Sequence, residues 1–164
     1  MGSKTFAIDL PCGVFYDLSN LVLDLNGTLT EDGNFIDGVV DRLKTVSKVL
    51  NVYILTADTC RTMEGLTDEL QKGCCVNVHC LEHGRGDLQK LAFLEELGRE
   101  QTVAIGNGCN DALMLKEAAL GICILGREGA STDALSSSDV VFRHICDALD
   151  IFLKPNRMIA TLRK

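Results

Sequence analysis

The chain has 164 residues, 46% of them apolar and 24% charged, the balance of one soluble globular core, which excludes a mainly disordered chain. Sixteen Lys and Arg against twenty-three Asp and Glu leave a formal charge of −7 with no basic stripe, so no nucleic-acid-binding surface is expected. No run approaches about eighteen consecutive apolar residues, which excludes a membrane-spanning helix.

From the N-terminus, Phe6, Ile8 and Leu10 alternate, Pro11-Cys12-Gly13 marks a turn and Val14 to Tyr16 resumes the pattern, predicting a β-hairpin over 5–16. LVLDL (21–25) is a short apolar run, the signature of a strand buried on both faces. Glu31-Asp32-Gly33 predicts a small flap after it. Ile36, Val39, Val40, Leu43, Val46 and Leu50 follow helical spacing behind Asp37 as cap. VYIL (52–55) predicts the next strand and Met63, Leu66 and Leu70 the helix after it, with CVNVHC (75–80) as a third strand. Asp87 is expected to cap a helix carrying Leu88, Leu91, Leu94 and Leu97, ended by Gly98. TVAI (102–105), a helix across 110–118, GICIL (121–125), DVVF (139–142) and a helix near 144–153 complete the series. This alternation predicts an α/β fold: a doubly wound, Rossmann-like parallel sheet with helices on both faces. One domain is expected over 1–164, with its core at 20–153. In such folds ligands bind beyond the carboxyl ends of the strands.

The eight cysteines (Cys12, Cys60, Cys74, Cys75, Cys80, Cys109, Cys123 and Cys146) read as reduced, buried side chains, because several sit in apolar runs, as Cys123 does in GICILG. The densest group is Cys74, Cys75, His79, Cys80 and His83. It lacks C-x-x-C spacing, and strand alternation would send neighbouring ligands to opposite faces, so a buried strand is expected there rather than a zinc site. Met1-Gly2-Ser3-Lys4 has no signal-peptide character, and Phe6 stands where a myristoylation motif needs Ser or Thr, which points to a cytoplasmic protein.

Four places carry chemistry. The first gives Asp24-Leu25-Asn26-Gly27-Thr28-Leu29-Thr30 and the second Thr56-Ala57-Asp58. Lys90 lies on the helix before the fourth strand, which ends in Gly106-Asn107-Gly108-Cys109-Asn110-Asp111. A carboxylate, a hydroxyl, an ammonium and a second carboxylate on one sheet edge suit phosphoryl transfer, with an acidic pair available to Mg²⁺. In order and spacing these residues resemble the haloacid dehalogenase superfamily of phosphohydrolases, whose pattern is D-x-D-G-T, then Thr or Ser, then Lys, then G-D-x-x-x-D. Within it, the likeness is to the phosphorylation domain of P-type ATPases, and to small soluble proteins resembling that domain alone. AIGNGCNDALMLKEAALGICILG is similar to the ATPase hinge segment, and the resemblance runs from about residue 20 to 150.

That resemblance implies roles. Asp24 matches the nucleophile that becomes an aspartyl phosphate, Thr56 the hydroxyl on the phosphoryl oxygen, and Lys90 the balancing cation, with Gly27 and Ala57 at the phosphate. Mg²⁺ would be held by Asp24, the main-chain carbonyl of Asn26, and Asn107 and Asp111. Asn26 replaces the family's general acid/base Asp, and Asn107 a direct metal carboxylate. Losing a general acid/base lowers rate by ~10²–10⁴-fold, so a slow phosphatase is expected; the ATPases, with Thr at that position, likewise hydrolyse their phosphoenzyme slowly.

Three function classes compete: a Mg²⁺-dependent phosphohydrolase, a non-catalytic relative that binds phosphate or a partner, and a receiver-type phospho-acceptor. The receiver fails on order, since its acceptor lies on the third strand and not the first. A dinucleotide binder fails because Asp111 occupies the third glycine position. Only 31 residues separate Asp24 from Thr56 and 33 separate Thr56 from Lys90, so no cap domain fits. An open site implies a large substrate or closure by a neighbouring subunit. The expected partners are a phosphorylated small molecule or phosphoprotein, and a second copy of the chain in a homo-oligomer.

Overall fold

The computed structural model describes residues 4–11, 13–57, 68, 70 and 76–163. The expected helix around Met63 and Leu66, and the cysteines Cys12, Cys60, Cys74 and Cys75, lie outside the described residues. The chain opens with the hairpin β1 (Phe6–Asp9) and β2 (Phe15–Leu18), paired antiparallel. Ile8, Leu10 and Leu18 are buried, and Phe6 meets Phe152 edge-on at 5.5 Å, so the hairpin packs against its own chain. Phe15, on its outer face, stays 63% exposed.

The strands β3 (Asn20–Asp24), β6 (Asn51–Thr56), β7 (Val76–Cys80), β8 (Thr102–Gly106), β9 (Leu120–Ile124) and β10 (Val140–Phe142) form one parallel sheet in the order β10-β9-β8-β3-β6-β7. Between β3 and β6 a two-strand flap, β4 (Thr30–Glu31) and β5 (Asn34–Phe35), turns through Asp32 and Gly33. Both turn residues have positive φ, 50° and 77°, the two-residue geometry that matches strand twist.

Six helices flank the strands among the described residues: α1 (Val39–Val46), α2 (Gly86–Leu97), α3 (Ala112–Glu117), α4 (Thr132–Ser137), α5 (Ile145–Asp150) and α6 (Pro155–Leu162). Side chains of β3 alternate between two apolar layers. Leu21 and Leu23 join α1, α5, Met158 of α6 and the hairpin on one face. Val22 joins Leu94 of α2, Met114 and Leu115 of α3, and Ala134 of α4 on the other. Helices cover both faces, as the apolar runs predict.

Local details depart from the expected caps. Helix α1 starts after Gly38, which is left-handed at φ 82°, and makes no side-chain cap. Asp37 lies outside, its carbonyl accepting the Cys146 thiol at 3.4 Å. Arg85, not Asp87, is the residue before α2; Asp87 sits in its first turn, gripped by the Arg85 guanidinium at 2.9 and 2.6 Å. On α2 the buried pair is Lys90 and Leu94, one helical turn apart, while Leu88 is 49% exposed. The apolar stripe that reads as a core face therefore contributes only part of it. Helices α4 and α6 have no counterpart among the expected elements.

The strand order reverses between β3 and β8: β6 and β7 build outward on one side, and β9 and β10 on the other. This switch point leaves a crevice at the carboxyl end of the sheet. Asp24, the last residue of β3, stands beside it.

Candidate active site

Three ionisable groups meet at the switch point. Lys90 Nζ donates to Asp24 Oδ1 and to Asp111 Oδ1, each at 2.6 Å. Lys90 and Asp111 are fully buried, and Asp24 is 8% exposed. Register explains the meeting: Leu23 pairs with Ile105, which sets Asp24 level with Gly106 on β8. A Cβ at Gly106 would collide with the Asp111 carboxyl group, so only glycine lets Asp111 fold back against the strand end. There Asp111 Oδ2 accepts the amides of Asn107 and Gly108 at 3.0 and 2.9 Å.

One ammonium between two carboxylates leaves the cluster with a net negative charge. Burial, then repulsion from Asp111, raises the Asp24 pKa from 3.8 to about 6, against the attraction of Lys90 and hydrogen bonds from Lys90 and Thr28. Burial alone would push Lys90 down, but its two carboxylates more than reverse this and hold its pKa above the usual value. A lysine fixed as a cation and a carboxylate that ionises near neutrality suit a nucleophile.

The remaining expected residues surround this cluster. Thr56, buried at the end of β6, lies one residue beyond Leu55, the register partner of Asp24. Ala57 follows it and is exposed. Asn26 is exposed, and its side-chain oxygen accepts the Thr30 hydroxyl at 3.4 Å. Gly27 has φ 75°, and its N–H is engaged by the Thr30 carbonyl at 3.1 Å, so its contribution in this structure is backbone shape rather than an unoccupied phosphate donor.

Thr28, within the first motif but given no role from sequence, proves central. Its hydroxyl lies 3.3 Å from Asp24 Oδ2 and 3.2 Å from Asn107 Oδ1, drawing a carboxylate oxygen and an amide oxygen toward one point. Both Asp111 oxygens face N–H donors. Asp111, expected as a metal ligand, has both oxygens taken by these donors, so the side-chain oxygens that could hold a cation are Asp24 Oδ2 and Asn107 Oδ1, with the Asn26 main-chain carbonyl on the same turn. These are hard oxygen donors with a single formal charge, a set that fits Mg²⁺. Among the described residues no three His, Cys, Asp or Glu side chains gather as a metal cage. Cys109, Cys123 and Cys146 are free thiols.

Beyond Asn107 the site extends toward the flap. A cleft of about 710 Å³ opens between Asp32, Phe35 and Ile36 on the flap side and Leu125, Arg127 and Arg143 past the ends of β9 and β10. Gly126, also in its wall, sits against the Gly27 carbonyl. The cleft thus adjoins the turn that follows Asp24. No helix among the described residues is long and apolar enough to cross a membrane.

Comparison with known proteins agrees with this architecture. No family model matches the chain. The protein MJ0073 of Methanocaldococcus jannaschii, uncharacterised, is 49% identical over 86 residues, covering 50% of this chain and 92% of that protein. A probable phospholipid-transporting ATPase 12 of Arabidopsis thaliana is 34% identical over 86 residues, 51% of this chain but only 7% of the ATPase. Among solved structures, a HAD family hydrolase of Streptomyces avermitilis superposes with a TM-score of 0.66 at 18% identity, covering 85% of this chain and 87% of that one. The 3-deoxy-D-manno-octulosonate 8-phosphate phosphatase of Moraxella catarrhalis, solved with magnesium and phosphate, gives 0.63 at 15% identity, covering 89% and 94%. The chain belongs to one family with MJ0073, and its fold is that of the haloacid dehalogenase superfamily.

Proposed function

We propose that the chain is a Mg²⁺-dependent phosphohydrolase that works through an aspartyl phosphate on Asp24, and that it is slow. The observation that carries this reading is the buried Lys90 held 2.6 Å from both Asp24 and Asp111 at the switch point. The same fold serves phosphate-ester hydrolysis in the Moraxella enzyme, whose structure contains magnesium.

In the first step an oxygen of the ionised Asp24 attacks phosphorus, the bond to the ester oxygen breaks, and the leaving oxygen takes a proton from solvent. In the second step water attacks the same phosphorus, the bond to Asp24 breaks, and the proton returns to solvent. Lys90 offsets the charge shared by Asp24 and the transferring group, while Thr56 and the main chain at Ala57 hold phosphoryl oxygens. Asp24, Asn107 and the Asn26 carbonyl would hold Mg²⁺, which when bound would supply further charge stabilisation. The Asn26 carboxamide neither gives nor accepts the proton in either step, which slows both by ~10²–10⁴-fold. Leaving groups stable as anions suffer least in the first step, so phosphoenzyme accumulates with acyl phosphates. The cleft beside the flap takes the organic part of a phosphorylated small molecule.

The test is Mg²⁺-dependent turnover of p-nitrophenyl phosphate by wild type and Asp24→Asn, with intact-protein mass spectrometry after acyl phosphate treatment. A phosphate adduct and turnover, both lost in Asp24→Asn, support the reading. Neither adduct nor turnover in wild type would favour a non-catalytic phosphate-binding role.

A further inference from the structure

Residues Gly126–Ser131, between the end of β9 and the start of α4, form a strap over the metal-side loop, and Asn107 is bound to it twice. The Asn107 carbonyl accepts the Ser131 N–H at 2.8 Å, and Asn107 Nδ2 donates to the Gly129 carbonyl at 3.0 Å. The other end of the same carboxamide, Oδ1, accepts the Thr28 hydroxyl at 3.2 Å, and that hydroxyl lies 3.3 Å from Asp24. The strap in turn holds the flap: Glu128 Oε1 accepts the Asp32 N–H at 2.9 Å, and Arg127 pairs with Glu31 at 3.1 Å. Gly27 leaves room for this path, since a Cβ there would run into Asn107 Nδ2 and approach Glu128.

From this continuous path we infer that Asn107 is a positioning residue whose carboxamide anchors the strap, and through it the flap, to the turn carrying the nucleophile. The group must donate at one end and accept at the other. An amide does both, whereas an ionised carboxylate only accepts. Aspartate at 107 would turn an oxygen toward the Gly129 carbonyl at hydrogen-bond distance, replacing an attraction by a repulsion. In this chain Asn107 is therefore not interchangeable with the acidic metal ligand it resembles: a carboxylate binds the cation better and releases the strap.

The inference does not depend on turnover, and hydrogen exchange of the metal-free protein tests it apart from the phosphatase reading. Asn107→Asp and Asn107→Ala should each speed exchange across 126–131 and 31–35 by about tenfold or more, while the β3 and β8 amides stay at wild-type rates. Glu128→Ala should speed the flap alone. Calorimetric titration with Mg²⁺ should then show Asn107→Asp tighter than wild type and Asn107→Ala weaker, a split that general loosening would not produce. Wild-type exchange across the strap in either Asn107 variant would overturn the inference. So would a loose strap in Asn107→Asp accompanied by faster exchange in β3 and β8.

Discussion

Asp24→Asn, the change that should abolish phosphoryl transfer, should also stabilise the metal-free protein. In the folded state the Asp24 pKa is raised from 3.8 to about 6, chiefly by burial and by Asp111. A shift of about two units corresponds to about 3 kcal/mol of strain in the ionised form. Because the folded pKa lies above the unfolded one, the protonated carboxyl favours the fold below pH 3.8, and that contribution is lost as pH rises through about 6. Asparagine keeps the shape and leaves Lys90 paired with Asp111 at 2.6 Å, a cluster with no net charge. The Thr28 hydroxyl can turn its proton to Asn107 Oδ1, 3.2 Å away, so little hydrogen bonding is lost. A gain of about 3 kcal/mol in a chain of this size is a rise of roughly 6–12 °C in Tm. Thermal unfolding in EDTA at pH 7.5 and pH 4 measures it: the variant should be more stable at pH 7.5, and the difference should shrink toward pH 4. Saturating Mg²⁺ should narrow the gap at pH 7.5 by stabilising wild type alone. An Asp24→Asn protein no more stable than wild type at pH 7.5 in EDTA, or a difference independent of pH, would refute the charge argument.

Lys90→Met should have the opposite effect, leaving Asp24 and Asp111 buried together without a cation and lowering stability by about 3–5 kcal/mol in urea denaturation at pH 7.5. Since the nucleophile must be ionised, kcat/KM at limiting Mg²⁺ should fall as pH drops below about 6, and a profile flat down to pH 5 would contradict the Asp24 assignment. Asn26→Asp should raise steady-state turnover by about an order of magnitude or more, because it restores a carboxylate able to deprotonate water in the second step. The two Asn-Gly dipeptides should resist deamidation in the folded protein, because each attacking nitrogen is engaged: Gly27 N–H by Thr30 at 3.1 Å and Gly108 N–H by Asp111 at 2.9 Å. Peptide mapping of aged protein should show no mass gain at either dipeptide, and a gain in native protein would mean that these bonds open readily.

The parallel sheet was legible because its central strands are buried on both faces and leave near-continuous apolar runs, as in LVLDL and TVAI. The helix signal was weaker where burial was shallow. Helix α4 spans six residues with Ala134 as its buried side chain, and α6 begins at Pro155 with Met158 as its buried contact. Periodicity on α2 marked the leucines and passed over Lys90, because a pattern of apolar residues carries no sign of a buried cation held by carboxylates far along the chain. The site residues near one another in sequence could be read from the motif around Asp24 and the loop 106–111. The strap could not: Glu128 meets Asp32 across 96 residues and Asn107 meets Gly129 across 22, contacts that only the packed sheet creates. Thr28 stood inside the first motif, yet its position between Asp24 and Asn107 depends on β3 and β8 lying side by side.

The two asparagines that part this chain from the haloacid dehalogenase pattern would act on different quantities in the proposed phosphatase. Asn26 is exposed, so a carboxylate there would be solvated and would add little to the charge of the buried cluster. In the proposed reaction its amide would remove proton transfer, and the effect would fall on rate. Asn107 is half-buried beside the cluster, where a third carboxylate would face Asp24 across the Thr28 hydroxyl. In a half-buried site such a like charge would oppose closure of the metal-free loop. A carboxylate at 107 would therefore loosen the strap and flap unless a cation were bound, while Lys90 keeps Asp24 and Asp111 in place in either case. In the proposed phosphatase, position 107 would set how firmly strap and flap close without metal, and position 26 how fast the site turns over.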